Sequence, residues 1–222
     1  MQVQVFGGEA DLAGLEPHLK NVPAQARSRE RLTRILRAAD RVLAEEGADA
    51  LISSRVAAVA GVPIGSIYHL FGDKEAIVDA LALGYWAAFA ESVDRVADAD
   101  EATPLATPVV AIFDALADGF RAEPGFLALW FSPLRTQRVR DTTRVTRQVI
   151  LGSVERILAV HWSAASGAER FAAAQMVVLT GDGLLREAFR VNPSGDAAIL
   201  AECCLMLDAY LAARLGEPTT HR

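Results

Sequence analysis

Side chains that could bind an anion are concentrated in one part of the chain. Residues 24–74 contain eight Arg and Lys against six Asp and Glu, so this part carries a net charge of +2. The rest of the chain sums to −8, within an overall formal charge of −6. A basic region on an acidic protein can attract phosphate groups through one face and stay soluble through the other. The pattern indicates phosphate binding, with an ordinary solvated helix face as the alternative for any single Arg.

The residue types that carry catalysis or bind metals are scattered. The four His stand alone, without a Glu-x-x-His or His-x-x-x-His pair, and Ser or Cys nucleophile motifs are missing. The adjacent Cys203 and Cys204 lie in an apolar, helix-like stretch, where neighbours diverge by about 100° and cannot easily form a disulfide. We interpret them as core or interface residues, with a redox sensor as the alternative. We predict a protein that is not an enzyme and has no cofactor and no metal site.

Hydrophobic periodicity predicts an all-α fold. Apolar residues make up 52 % of the chain. Leu32, Ile35, Leu36 and Ala39 recur at helical spacing before Gly47 ends the first helix. No segment alternates as a strand would. About nine helices are predicted, over residues 28–46, 53–60, 64–70, 73–97, 104–121, 123–132, 134–161, 168–191 and 196–215. Residues 1–23, punctuated by Gly and Pro, are predicted to be a weakly ordered extension.

The sequence predicts neither a membrane span nor a secretory signal. Charged residues interrupt each apolar run before it reaches the roughly 20 residues that a span needs. The first residues lack a basic segment followed by a long apolar one. We therefore expect a cytoplasmic protein with no membrane partner.

Three residues near the middle of the basic region have the spacing of a helix-turn-helix. Ala57, Gly61 and Ile67 stand at relative positions 0, +4 and +10. The first must be small because the second helix packs across it, and the second favours Gly because the tight turn requires a positive φ. The third is apolar because it holds the two helices together. We predict that Ser53 or Ser54 caps the first of these helices, and that Asp73 caps the helix that follows the motif.

Residues 28–80 resemble the TetR (tetracycline repressor) family of transcriptional regulators. The densest part of the match is Ala60-Gly-Val-Pro-Ile-Gly-Ser-Ile-Tyr-His-Leu-Phe-Gly-Asp-Lys-Glu75. The resemblance implies that Ser66 and Tyr68 touch DNA and that Lys74 binds a phosphate.

Two positions depart from the family pattern: Ile52 replaces the usual capping Thr, and Leu70 replaces the usual His or Tyr. We expect these changes either to reduce the affinity for phosphate or to transfer phosphate binding to Arg29, Arg31 and Arg55. The full set of predicted DNA contacts is Arg29, Arg31, Ser53, Ser54, Arg55, Ile64, Gly65, Ser66, Tyr68, His69 and Lys74.

The resemblance divides the chain into a DNA-binding domain over residues 24–74 and a ligand-binding and dimerisation domain over residues 75–222. Aromatic residues on the fourth to sixth helices could be ordinary core or could line an apolar effector cavity. The predicted effector residues are Tyr85, Trp86, Phe89, Phe113, Phe120, Phe126 and Trp130. Five Arg between Arg135 and Arg147 are interpreted as a solvated or ion-paired helix face, with an anionic effector or a contact with the DNA-binding domain as the alternatives.

The last two predicted helices are apolar nearly all round. A helix with two apolar stripes needs two partners, its own core and a second surface. We predict that the second surface is the same helix of another subunit in a homodimer. The predicted interface residues are Phe171, Val178, Leu185, Leu200, Cys204, Leu207 and Leu211.

The expected function is that of a repressor that a small-molecule effector, one with an apolar part, releases from a pseudo-palindromic double-stranded DNA operator. The alternative is a helical ligand-binding dimer whose DNA-binding head has degenerated. Gly61, Tyr68 and Lys74 favour the repressor, whereas Ile52 and Leu70 keep the alternative open.

Overall fold

The computed structural model describes residue 15 and residues 19–23, 25–132 and 137–219. Within these residues all regular secondary structure is helical, which confirms the predicted all-α class. The α-helices number nine in this described part, and a short 3₁₀ turn, Ala48–Ala50, separates the first two. They are α1 Ala26–Glu46, α2 Ser53–Ala60, α3 Ile64–Leu70, α4 Lys74–Ala102, α5 Pro108–Ala122, α6 Pro124–Trp130, α7 Gln137–His161, α8 Gly167–Val191 and α9 Ala197–Leu215.

The chain forms two compact units. The first contains residues up to Ala88 together with Ala122–Arg144, and the second contains Phe89–Arg121 with Val145–Arg222. Helices α4 and α7 therefore contribute residues to both units. The first unit extends past residue 74, the predicted end of the DNA-binding domain, to take in the first half of α4 and all of α6.

The first unit is built on α1, which packs against α2 and α6. Its apolar stripe follows the helical period, and Ile35, Leu36, Val42 and Leu43 are fully buried. Gly47 ends the helix with a φ of 83°, a conformation that favours glycine. Because α1 begins at Ala26, the residues Arg27–Arg31 are helical. The helix thus begins two residues before its predicted start at residue 28.

The second unit is held by α8 and α9, which pack side by side. Both helices begin with side-chain caps. Ser166 and Glu169 form a capping box at the start of α8, and the Asp196 carboxylate accepts hydrogen bonds from the N–H groups of Ala198 and Ile199, each 3.0 Å long. These caps fix the residue at which each helix begins.

The largest difference from the predicted helix boundaries is at the end of α4, which continues to Ala102. Asp94, Asp98 and Glu101 all pair with the Arg156 guanidinium of α7, at distances of 2.5–2.8 Å. This charge cluster supports an end segment whose own sequence is too polar to show an apolar stripe. By length and composition α4 could cross a membrane, but 72 % of its most apolar window is buried, as in the core helix of a globular fold.

Candidate functional site

The helix-turn-helix has the geometry that the spacing predicts. Gly61 lies in the left-handed region, with φ 63° and ψ 40°, and ends α2. The N–H of Val62 donates to the carbonyl of Ala57 over 3.0 Å, which closes the turn. Ala57 is 4 % exposed and Ile67 is fully buried, so the small residue and the apolar plug occupy their predicted places.

One face of α3 is presented to solvent. Ile64 and Tyr68, one turn apart, are 45 % and 49 % exposed, and Gly65 and His69 are exposed beside them. Ile67 and Leu70 on the other face are buried, and Ser66 is half-buried. The helix is thus fixed by one side and offers small and hydrogen-bonding groups from the other, as entry into a DNA groove requires.

The start of α4 forms a second exposed element beside this face. The Asp73 carboxylate accepts a hydrogen bond of 2.8 Å from the N–H of Ala76, so the predicted cap is confirmed. Lys74 is the first residue of the helix and is exposed. An ammonium group next to the N–H groups of a helix N-terminus is well suited to a phosphate.

The predicted cap of α2 is wrong. Ile52 occupies the N-cap position, without a side-chain hydrogen bond, and Ser53 and Ser54 are the first two helical residues. Leu51 is 1 % exposed, and its burial fixes where the chain enters the helix. Ser54 is exposed and Ser53 is half-buried in the first turn, so their predicted contact with DNA stays a prediction.

The predicted basic contacts differ in their surroundings. Arg55 binds Glu46 with two hydrogen bonds, Nε to Oε2 at 2.9 Å and Nη2 to Oε1 at 2.7 Å. This pairing raises the pKa of Arg55 and lowers the pKa of Glu46. Arg29 and Arg31 are exposed near the start of α1. Arg55 thus enters any DNA contact already paired with a carboxylate, with Nη1 as the nitrogen that does not contact Glu46.

The predicted effector residues fall into two clusters, one in each unit. In the first unit, Trp86 of α4 packs edge-on against Phe126 and Trp130 of α6, with ring centroids 5.4 and 6.0 Å apart. Tyr85 packs on Phe126 at 5.7 Å. All four side chains are buried. They join α4 to α6 and are called here the α4–α6 aromatic cluster.

In the second unit, Phe89 packs on Phe120 at 4.9 Å, and Phe120 packs on Phe189 at 5.1 Å. Phe113 lies against α8 at Gly181, where an added Cβ would come within 2.5 Å of the ring. The sequence pattern had missed Phe189. A role for either cluster in effector binding stays a prediction.

The sequence had also missed a polar contact that joins α1 to the α4–α6 aromatic cluster. The buried Tyr85 hydroxyl donates a short hydrogen bond to the Asp40 carboxylate. A Cβ at Gly125 of α6 would lie 2.5 Å from the Tyr85 hydroxyl and 3.1 Å from the Asp40 carbonyl oxygen. Burial raises the pKa of Asp40, and burial together with the Asp40 charge raises the pKa of Tyr85 well above its ordinary value. In the sequence, the signal for this contact is an acidic residue, Asp40, directly after Ala38 and Ala39 of the apolar stripe.

The Arg135–Arg147 cluster is described only in part. Arg135 lies outside the described residues. Arg140 donates to the side chain of Gln137, Arg144 pairs with Asp141 at 3.4 Å, and Arg147 pairs with Asp182 at 2.9 Å. The last pair joins α7 to α8 through Asp182, which lies inside α8. These contacts favour the ion-paired helix face.

The predicted dimer residues do not share one surface. Leu185, Leu207 and Leu211 are at most 3 % exposed in the single chain, so they fill the core of their own unit. Val178, Leu200 and Cys204 are half-buried, and Phe171 is exposed.

Burial also raises the pKa of Cys203 to about 12 and raises the pKa of Cys204. Over the described ranges, no group of three or more His, Cys, Asp or Glu is placed to hold a metal ion.

Two family models match the chain. The model of bacterial regulatory proteins of the tetR family matches residues 35–81, which include the helix-turn-helix. The model of the tetracyclin repressor-like C-terminal domain matches residues 103–215. The chain belongs to the TetR family. As a TetR-family regulator it is a helix-turn-helix DNA-binding protein of transcription regulation, and members of this family are generally not enzymes.

Solved structures agree with the family. A TetR-family transcriptional regulator from Streptomyces coelicolor is 32 % identical, with 83 % of this chain and 99 % of that chain covered and a TM-score of 0.60. FadR, a fatty acid degradation regulator from Bacillus halodurans, is 18 % identical, with coverages of 85 % and 96 % and a TM-score of 0.60. SmeT of Stenotrophomonas maltophilia, in complex with triclosan, is 21 % identical, with coverages of 83 % and 91 % and a TM-score of 0.58. The last two show a shared fold. No curated protein is significantly similar to this TetR-family regulator.

Proposed function

We propose that this regulator is a repressor that binds a pseudo-palindromic operator as a homodimer and releases it when a small molecule binds. The exposed face of α3, held in place by the buried Ile67 and Leu70, is the observation that carries the proposal. In a symmetric dimer, two such helices read half-sites about 34–36 Å apart. Because a repressor must reach its operator DNA, we propose that the protein acts in the cytoplasm.

The DNA contact is tested with a labelled duplex from the region upstream of the chain's own gene. Lys74→Ala removes one phosphate contact, so the slope of log affinity against log salt becomes shallower by about 0.9. Tyr68→Ala removes an exposed ring from the presented face, so operator affinity falls while the fold is kept. Arg95→Ala, which removes one positive charge from the second unit, is the matched control.

Wild-type affinity and slope in both Lys74→Ala and Tyr68→Ala would show that α3 and the start of α4 are not the DNA-binding face. A wild-type chain that binds small molecules but shifts no duplex would favour the alternative, a ligand-binding dimer with a degenerate head.

Exposed apolar residues on α8 and α9 support a dimer interface that differs from the set predicted from the sequence. Phe171, Met176 and Leu179 on α8 are 41–51 % exposed, and Leu205 and Met206 on α9 are 63 % and 45 % exposed. Apolar side chains grouped on adjacent helices are typical of a surface that another protein covers. The small residues Ala201 and Ala209, one turn on either side of Leu205, allow a partner helix to approach closely.

The interface is tested by sedimentation of Leu205→Glu and Leu179→Glu. A charge introduced into a buried interface costs several kcal/mol, so both variants are expected to be monomers. Val149→Glu changes an equally exposed apolar residue on α7 and is expected to remain a dimer. Intact dimers of Leu205→Glu and Leu179→Glu would place the interface elsewhere.

For the effector we propose an apolar small molecule that displaces side chains of the α4–α6 aromatic cluster. The complex of SmeT with triclosan, an apolar ligand on the same fold, supports this chemistry. The cluster touches α1 through Tyr85 and Asp40. Its displacement would therefore change the packing of α1 on α2, the helix against which α3 packs.

Tryptophan fluorescence gives a direct test, because the chain has three Trp and two of them lie in this cluster. In Trp162→Phe, only Trp86 and Trp130 remain as reporters. Effectors found by a thermal-shift screen are expected to change this fluorescence and to bind more weakly when operator is present, since coupling is reciprocal. Unchanged fluorescence would refute the proposed site, and equal affinity with and without operator would refute release by the effector.

A further inference from the structure

The short segment 19–23, ahead of α1, is hydrogen-bonded to the C-terminal end of α3. The N–H of Lys20 donates to the carbonyl of Leu70 over 2.7 Å, and the side-chain amide of Asn21 donates to the carbonyl of His69 over 2.6 Å. The last carbonyls of a helix have no partner within the helix itself. Here a segment from about fifty positions earlier in the chain supplies their donors.

These hydrogen bonds fix where the side chain of Lys20 lies. Its Cδ is 3.8 Å from the position that a Cβ would occupy on Gly72, in the turn between α3 and α4. Gly72 has a φ of 85° and is two residues before Lys74. Cα atoms two residues apart are separated by at most about 7 Å. The exposed side chain of Lys20 therefore lies beside the turn that leads to Lys74.

Lys20 and Lys74 are the two lysines of the chain, whose other twenty basic residues are Arg. Both are exposed, and the turn at Gly72 lies next to both. Duplex DNA carries one negative charge per about 1.7 Å of helix axis, so two exposed lysines on either side of one turn can each find a phosphate. The capped carbonyls of His69 and Leu70 also present less negative charge to those phosphates.

We propose that segment 19–23 is part of the DNA-binding surface, in which Lys20 binds a backbone phosphate beside the one bound by Lys74 and Asn21 holds the end of α3. This rests on the proposed DNA-binding function and assigns it a further element. The partner is the phosphate backbone of duplex DNA, so the contact of Lys20 does not depend on base sequence.

The test measures binding of two labelled duplexes, one from the upstream region and one of unrelated sequence, across a salt series. Lys20→Ala keeps the backbone N–H and its hydrogen bond to Leu70, and removes the ammonium group together with its alkyl chain. It is expected to make the slope shallower by about 0.9 on both duplexes, with roughly 5- to 10-fold weaker binding near 0.1 M salt. Lys20→Arg is expected to restore the slope, and Lys20→Ala combined with Lys74→Ala to lose about twice as much.

Asn21→Ala separates positioning from charge. It removes the amide donor to His69 but no charge, so the slope is expected to stay at the wild-type value while preference for the upstream duplex over the unrelated one falls. Circular dichroism confirms that each variant is folded, and Arg95→Ala is the charge-matched control.

The outcomes distinguish this inference from the function on which it rests. A wild-type slope in Lys20→Ala, with a reduced slope in Lys74→Ala, would overturn the role of Lys20 and leave DNA binding intact. Unchanged discrimination in Asn21→Ala would overturn the positioning role. A wild-type chain that binds neither duplex would overturn the proposed function itself, and this inference with it.

Discussion

Removing the Tyr85 hydroxyl should weaken the contact between α1 and α4 by an amount that depends on pH. The hydroxyl is fully buried and donates to the carboxylate of Asp40 on α1. A hydrogen bond to a charged group contributes about 1.5–3 kcal/mol. Because Asp40 is half-buried and water can partly replace the donor, we expect Tyr85→Phe to lower the free energy of unfolding by about 1–2 kcal/mol at pH 7.

The sign of the pH dependence follows from Asp40. Burial raises the pKa of this carboxyl above its ordinary 3.8, and the hydrogen bond from Tyr85 opposes the rise. The protonated form therefore stabilises the fold below pH 3.8, and this stability is lost as the pH rises through the raised pKa. Without the hydroxyl the pKa rises further and the loss is larger. The destabilisation by Tyr85→Phe should thus be smallest in acid and grow with pH.

Chemical denaturation of wild type, Tyr85→Phe, Asp40→Ala and the double variant measures the contact as a double-mutant cycle. The expected coupling is at least about 1 kcal/mol at pH 7, and the effect of Tyr85→Phe should lose its pH dependence in the Asp40→Ala background. A coupling below about 0.5 kcal/mol, or a Tyr85→Phe effect that does not change with pH, would refute the argument.

Three further predictions concern positions where the backbone or burial leaves little freedom. Gly61→Ala should lower the free energy of unfolding by about 1–2 kcal/mol, because L residues disfavour φ 63°. The control is Gly152→Ala, in a helix with open space around the added Cβ. It should raise the free energy of unfolding by up to about 1 kcal/mol in the same denaturation assay. Gly125→Ala should separate α6 from α1, costing about 1–3 kcal/mol and changing operator affinity in the binding assay; wild-type behaviour would contradict the close packing. Cys203 and Cys204 should react with a thiol reagent far more slowly than a free thiol at pH 8, because burial raises the pKa of both; rapid labelling of the native protein would revive the redox-sensor alternative.

The sequence predicted those parts of the fold that depend on neighbours along the chain. Gly47 and Gly61 mark helix ends because only glycine adopts their backbone angles readily, and Ile67 is identified by its fixed distance from Gly61. The contacts that it missed join residues far apart in the chain. Asp40 and Tyr85 are 45 positions apart, and Asn21 and His69 are 48 apart, so no periodicity links them.

The orientation of α9 shows a second limit. The helix has apolar residues nearly all round, so its pattern cannot tell which stripe faces the core. The sequence assigned Leu207 and Leu211 to the partner, whereas the structure buries both and exposes Leu205. Packing against α8, which lies far from most of α9 in the sequence, decides the orientation.

The first compact unit is made of two separate stretches of the chain, which limits how chimaeras between related proteins can be made. A chimaera joined at residue 74 would contain α1 with Asp40. It would lack Tyr85, which donates to the Asp40 carboxylate, and Gly125, which packs closely against both residues. The part that should be transferred as a unit is therefore discontinuous in sequence. It consists of the chain up to Ala88 together with Ala122–Arg144. We therefore expect the helix-turn-helix to keep its packing in a chimaera only when α6 is transferred with it, so that the junction lies inside α4 instead of at its start.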